Sequence, residues 1–403
     1  MSTNDEETTI TDSDASNQRR ILWAIIIASS VVMIPSFVSG VLLLDISDTF
    51  GLPLGVVAQI FTAASILGVI SAIMLGMLTI RIRKKTLLIV GLITYTIFSV
   101  SCSLATTFTS MLASFSLSGI GLAFVMPMSM SLVGEHLPME KRASAIGWIS
   151  SAIALPGLLI GPLIGIVVNF GGWRLAFIVF VLPVSVVGLL TVVRWIPVGN
   201  IGLESEQNNV GLLSGFKEIL NNRSAIASLI GYVLANASLT VLGSYLPSYL
   251  RETFLVSTEF VSTIFATVYL VYIVGSVACA RIVGRFGRKP VLVWSLLVES
   301  ILILVSSSIP NLWLTLVIIY LAHLFMGFIY TVAISLALEQ LPGFQGTMMS
   351  LNSAAGNLGM ALGSAVGGLI LVLYDYGLIG YSLGSLGIIA TIIYKTQVND
   401  HNP

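Results

Sequence analysis

The feature that most limits how this chain can fold is a succession of apolar runs, each close to the length that crosses a bilayer. They span about 21–44, 54–79, 86–106, 108–134, 144–168, 174–196, 224–250, 258–282, 290–309, 312–338, 346–374 and 378–395. A helix needs ~20 apolar residues to cross the hydrocarbon core, and backbone inside lipid must satisfy its own hydrogen bonds. Runs this long therefore predict helices. A membrane β-barrel would show ~10-residue segments of alternating polarity instead. The expected fold is an all-α membrane protein with twelve transmembrane helices. Of the 403 residues, 56% are hydrophobic and 9% charged, against ~25% charged in a soluble domain.

Six runs precede and six follow one long polar interruption, Pro197 to Asn222, which contains ESEQNN and then the amphipathic GLLSGFKEIL. Residues 198–223 thus read as a cytoplasmic linker carrying a helix on the membrane surface. They separate an N-terminal six-helix bundle, 21–197, from a C-terminal one, 224–395. Residues 1–20 are polar and predict a disordered tail; residues 396–403 form a second tail. The first run, Ile21 to Leu44, is too long for a signal peptide and ends in LLLDISD rather than in a cleavage site. Placing the N-terminus in the cytoplasm puts 16 of the 18 Lys and Arg residues on that side, leaving Arg174 and Arg251 outside. The positive-inside rule then puts both termini in the cytoplasm and the protein in the cytoplasmic membrane.

Several classes of function are disfavoured. The formal charge is zero, which gives no footprint for nucleic acid. Cys102 falls late in the third run and Cys279 late in the eighth, which the alternating topology puts on opposite membrane faces, so no disulfide is expected. The chain has no GxxxxGK[ST], no HExxH and no His/Cys/acid cluster, so no catalytic residue, metal or cofactor is expected.

The halves echo each other. GMLTIRIRKK, Gly76 to Lys85, matches ARIVGRFGRK, Ala280 to Lys289, at an offset of 280 − 76 = 204. SLVGEHLP, Ser131 to Pro138, matches SLALEQLP, Ser335 to Pro342, at 335 − 131 = 204. Two matches at one spacing predict a duplicated six-helix unit, an arrangement that places a transport site near the midplane between two rocking halves.

These residues resemble the major facilitator superfamily over about residues 20 to 395. Its G-x-L-a-D-R-x-G-R-K signature is matched by Gly76, Leu78, Arg81 and Lys85, and in the second copy by Arg285, Gly287, Arg288 and Lys289. The acid of the signature is replaced by Ile80 and Gly284, and Arg83 stands where the first copy would have glycine. The resemblance implies a cytoplasmic gate of Gly76, Arg81, Glu135, Arg142, Arg285, Gly287, Arg288 and Glu339, with Glu135 near Arg81 or Arg142 and Glu339 near Arg285. The fifth run carries Gly157-x-x-x-Gly161-Pro162-x-x-Gly165, which resembles the antiporter motif of the drug:proton efflux branch; Gly172-Trp173-Arg174 with Phe177 resembles the loop after it. Glycines at this spacing make a flat strip on which another helix can pack closely, and close packing alone is the alternative reading. The branch's helix 4 arginine is Phe115 here, ahead of Gly119 and Gly121.

An ionisable group at membrane depth is a functional candidate because burying it is costly. Glu299 and His323 lie near the middles of their runs, and Asp45 lies at the outer end of the first. These are the proton-coupling candidates. His323 is preferred because its ordinary pKa of ~6.5 is close to cytoplasmic pH and helix 10 lines the cavity in the resembling family. A protonated carboxyl bonded between helices is the competing account of Glu299. The expected substrate cavity is lined by Ser36 and Met126 in one half and by Tyr232, Asn236, Tyr320, His323, Tyr330 and Asn352 in the other, with interhelical packing as the competing account. Apolar and amide-bearing walls suit an amphipathic solute. The expected function is proton-coupled efflux of a small organic solute by a monomer in the lipid bilayer. An uptake permease or uniporter for an organic anion or nutrient is the alternative, and a membrane receptor or sensor is the alternative of another class.

Overall fold

The computed structural model describes residues 3–78, 82–137, 139–197, 217–341 and 345–400, and these are helical almost throughout. The first apolar run is built from α1 (Thr3–Val31), α2 (Ile34–Val41) and α3 (Leu43–Phe50). Pro35 explains the first break, since it has no N–H to offer the carbonyl four residues back. Residues 3–20 extend α1 rather than forming irregular chain. They contain no Gly or Pro to interrupt a helix.

Gly51, at φ 61°, ends α3 in the left-handed conformation. Then follow α4 (Leu54–Val57), α5 (Gln59–Leu78), α6 (Lys84–Ser103) and α7 (Phe108–His136). α7 opens with a capping box in which Thr107 and Ser110 satisfy each other's backbone donors. α8 runs from Met139 to Trp195 but is two helices joined at Gly171 and Gly172; the φ of 67° at Gly172 requires glycine. A short α9 occupies 217–221, and its Ile219 is buried against Ala225, Ala337 and Met348.

The next run is α10 (Arg223–Thr240), a π-helical turn (Val241–Tyr245) and α11 (Leu246–Phe254). Pro247 follows Gly243 by four residues and has no N–H for its carbonyl, which accounts for the widened turn. The rest are α12 (Thr258–Phe286), α13 (Arg288–Ser306), α14 (Leu312–Glu339), α15 (Gln345–Leu373) and α16 (Tyr376–Gln397). Among the described residues, 11 helical stretches are long and apolar enough to cross a membrane. The 42-residue stretch Ala154–Trp195 is of double length and contains the Gly171–Gly172 break.

Within the first half, α6 and α5 pack on α7, and α1 and α6 pack on α8; within the second, α10 packs on α15 and α16, α13 on α14 and α16, and α12 on α14. The halves meet along α5 with α15, α8 with α12, and α2 with the π turn. Gly55 near the start of the second run packs on Gly368 near the end of α15, and Gly68 faces Asn357. The two helices are therefore antiparallel, and both chain termini lie on one face, called here the terminal face.

Candidate functional site

Glycine makes the seam between the halves possible. A Cβ on Gly40 would meet the Gly243 carbonyl that the π turn frees, and one on Gly55 would meet the Gly368 carbonyl. On α8 the whole Gly157, Gly161, Gly165 strip faces α12, against Tyr269, Ser262 with Ala266, and Glu259 respectively. Pro162 is exposed beside it. All these approaches lie from mid-depth to the face away from the termini. On that face Asp45 of α3 forms a two-point ion pair with Arg251 of α11, and Asn169 donates to Glu259. Both contacts cross from one half to the other. Asp45, one of the proton-coupling candidates, is here a tie between halves.

At mid-depth the second half presents a cluster of polar aromatics and amides. Tyr330 of α14 donates to Asn236 Oδ1 at 3.0 Å, while Asn236 Nδ2 donates to the Tyr232 carbonyl at 2.8 Å. Asn352 of α15 lies within electrostatic reach of the Tyr232 hydroxyl. Tyr232 and Tyr272 stand edge-on to Tyr330, with centroids at 6.5 and 6.4 Å. The first half answers with a small cavity of about 20 Å³, room for roughly one water. Ser36, Phe61, Ser65, Tyr95 and Phe115 line it, and Met360 of α15 reaches in from the other half. Met126 lies elsewhere, against the first half's own core.

Of the three α14 residues expected to line the cavity, Tyr330 joins this region, His323 lies on the α12 side against Phe265 and Tyr269, and Tyr320 does not join it. Its hydroxyl bonds Thr267, which lies on the exposed apolar stripe of α12 with Leu270, Val274 and Val277. The reason is the tight α12–α14 contact: Gly275 admits the Leu324 carbonyl and Gly327 admits the Tyr272 carbonyl. The stripe faces α12 as a packed seam and turns to the interior only at its Tyr330 end.

His323 is buried, its Nδ1–H donating to the Ile319 carbonyl at 2.9 Å, which leaves Nε2 as the nitrogen able to accept a proton. Phe265 and Tyr269 of α12 stand edge-on to it at 6.0 and 6.1 Å. Glu299 of α13 is 0% exposed, and neither carboxylate oxygen has a hydrogen-bond partner among the described residues. It lies behind the cluster, within electrostatic reach of Tyr330.

On the terminal face, Glu135 pairs with Lys84 at 3.3 Å, and Glu339 pairs with Arg288. The expected partner of Glu339, Arg285, is exposed instead and lies 5.3 Å from the Phe286 ring centroid. Gly287, at φ 81°, separates α12 from α13 and so swings Arg288 to the start of the next helix, facing the end of α14. Arg81 falls outside the described residues and so does the Arg142 side chain; Gly76 lies within α5. Lys84 and Arg251 were not expected to be site residues, although signals for both exist. Lys84 is the repeat mate of Arg288, 288 − 84 = 204, and Arg251 is one of two basic residues assigned to the far face.

The family model of the Major Facilitator Superfamily matches residues 25–254 and 228–402 of this chain. Multidrug resistance protein 2 of Bacillus subtilis (strain 168) is 25% identical over 336 residues, covering 79% of this chain and 81% of that protein. Among solved structures, a D-xylose-proton symporter superposes with a TM-score of 0.80 at 15% identity, over 94% of this chain and 98% of that one. A bacterial homolog of the human lysosomal transporter Spinster, in an inward-facing and unoccupied conformation, gives 0.72 at 18% identity, over 94% and 91%. At such identities the two structures establish the likeness of fold.

Proposed function

The chain belongs to the Major Facilitator Superfamily, and from that premise we propose that it is a secondary transporter exporting a small amphipathic organic solute in exchange for protons. Counting the Gly171–Gly172 break as a reversal gives twelve crossings, with residues 21–197 and 224–395 as the two rocking bundles. The sequence assigns 16 of the 18 basic residues to the side of the termini, which supports taking the terminal face as the cytoplasmic one. The observation that carries this reading is the pairing of an interior polar-aromatic cluster with a seam closed on the far side of it. Tyr232, Asn236, Tyr330 and Asn352 offer hydroxyls, amides and ring faces in the second half, the small cavity of the first half is mostly apolar, and the Asp45–Arg251 tie joins the halves on the far side.

A solute entering from the cytoplasm would bind between these walls, and release requires the far seam to part. The outward direction is supported by the glycine strip of α8 and by the relative named for multidrug resistance. His323 carries the proton in this proposal, because Nε2 is free to take it while Nδ1 is held by the backbone.

Proteoliposomes with an imposed pH gradient test both claims. The wild type should drive solute against its gradient and should also support counterflow without a pH difference. His323→Gln should retain counterflow and lose accumulation. Solute uptake along the proton gradient would identify a symporting permease instead, and accumulation without any pH or ion gradient would exclude secondary transport.

A further inference from the structure

The Tyr269 ring touches both halves and His323 together. Its edge lies directly on Gly157 of α8, where a Cβ would collide with three of its ring carbons. Phe37 of α2 stands against it at 5.5 Å between centroids, interplanar angle 77°. On its other side it stands edge-on to the His323 imidazole at 6.1 Å. Gly157 and Phe37 belong to the first half, Tyr269 and His323 to the second. Packing against Gly157, Phe37 and His323 thus sets the position of the ring.

We propose that Tyr269 is a positioning residue that couples the inter-half seam to His323. While α8 and α12 are closed, Gly157 and Phe37 back the ring and hold it over the imidazole, excluding water. When the seam parts, both supports leave with the first half. The ring is then free to change rotamer, and Nε2 of His323 meets the solvent. The proton site is thereby opened by the same movement that opens the path for the solute, with no charged partner required. Phe265, the other ring on His323, also comes from α12, but its ring contact among the described residues is with His323 itself and not with a first-half ring, so in this proposal it shields the imidazole equally in either state. The titratable group facing His323 from α12 is Tyr269.

This inference rests on the transport reading only for the use made of the proton; the shielding is testable by itself. Diethyl pyrocarbonate acylates the unprotonated imidazole nitrogen, and the chain has three histidines, so peptide mass spectrometry can follow His323 with His136 as reference. Tyr269→Ala should raise His323 labelling about tenfold, the scale expected when a buried site opens locally, with His136 unchanged. Tyr269→Phe should label as wild type. Gly157→Ala, in the other half, should also raise labelling by pushing the ring from its seat; if that variant fails to fold, Phe37→Ala serves the same purpose.

A merely structural role would lower all transport together. The shutter instead predicts that Tyr269→Ala keeps counterflow while losing accumulation driven by a pH gradient. Unchanged labelling in Tyr269→Ala, or Phe behaving like Ala, overturns the proposal. If labelling responds as expected yet His323→Gln still builds a solute gradient, the shutter stands and the proton assignment falls. If labelling does not respond while His323→Gln abolishes accumulation, the reverse holds.

Discussion

The two faces of the molecule use the same chemistry to different ends. On the face away from the termini an ion pair joins α3 to α11, and thus one half to the other. Among the described residues, the Lys–Glu and Arg–Glu ion pairs on the terminal face are Lys84 with Glu135 and Arg288 with Glu339, each inside its own half. The far-face pair is also the better sheltered, with Arg251 and Asp45 at 13% and 23% exposure against 35% and 28% for Lys84 and Glu135. A sheltered two-point pair retains more of its attraction than an exposed one. The far face is therefore where ionic contacts hold a conformation, whereas on the terminal face they shape each half by itself.

The sharpest way to break that contrast is to make the far-face tie permanent. Asp45→Cys with Arg251→Cys, in a Cys102→Ser, Cys279→Ser background, should lose transport completely when bridged by a cleavable bifunctional reagent and regain it on cleavage. Turnover with the bridge intact would mean that this seam never opens. Next in size is Asp45→Asn, which removes a charge-assisted pair worth ~1.5–3 kcal/mol. The fraction of molecules open on the far face should rise about tenfold or more, read as the rate at which an impermeant maleimide labels a cysteine placed at buried Ser248. Gly161→Val should act in the same direction by overpacking the α8–α12 seam, at a cost of ~1–3 kcal/mol.

Smaller effects belong to the terminal face. Lys84→Ala and Arg288→Ala should each lower stability by ~0.2–1 kcal/mol, seen as similar small shifts in thermal unfolding, without changing maleimide labelling at the far face. If either raised that labelling as much as Asp45→Asn, the distinction between the faces would fail. Tyr320→Phe belongs to neither face and should alter transport less than about twofold, the loss of one exposed hydrogen bond.

Much of the scaffold is legible in the sequence because apolar length and glycine spacing are local properties. The runs fall on helices, and the strip from Gly157 to Gly165 is a packing surface, with α12 as the partner that sequence could not name. Prolines were legible only in part: Pro35 and Pro247 are plain to see, but that Pro247 would produce a π turn whose freed carbonyl meets Gly40 depends on a neighbour two hundred residues away. The site is less legible for the same reason. Spacing puts Tyr320 and Tyr330 on one face of α14 but cannot say which helix that face will meet. Charge pairing failed at Arg285 because one left-handed glycine, Gly287, redirects the chain just before Arg288. The tie from Asp45 to Arg251 spans 206 residues and follows no repeat spacing.

The shared offset also makes this chain an alignment of two sequences. Positions between the matched segments correspond without gaps, so subtracting 204 pairs Glu299 with Tyr95, His323 with Gly119 and Tyr330 with Met126. Lys84 and Arg288 kept their charge, as did Glu135 and Glu339. The two ionisable groups at depth did not: their counterparts are a tyrosine whose hydroxyl donates to the Val32 carbonyl and a glycine pressed against Ala64. A duplicated scaffold has no structural requirement for a carboxyl or an imidazole at these depths, since its other copy folds without them. Exchanging the paired residues, one position at a time, would therefore separate what the fold demands from what was added to one half alone.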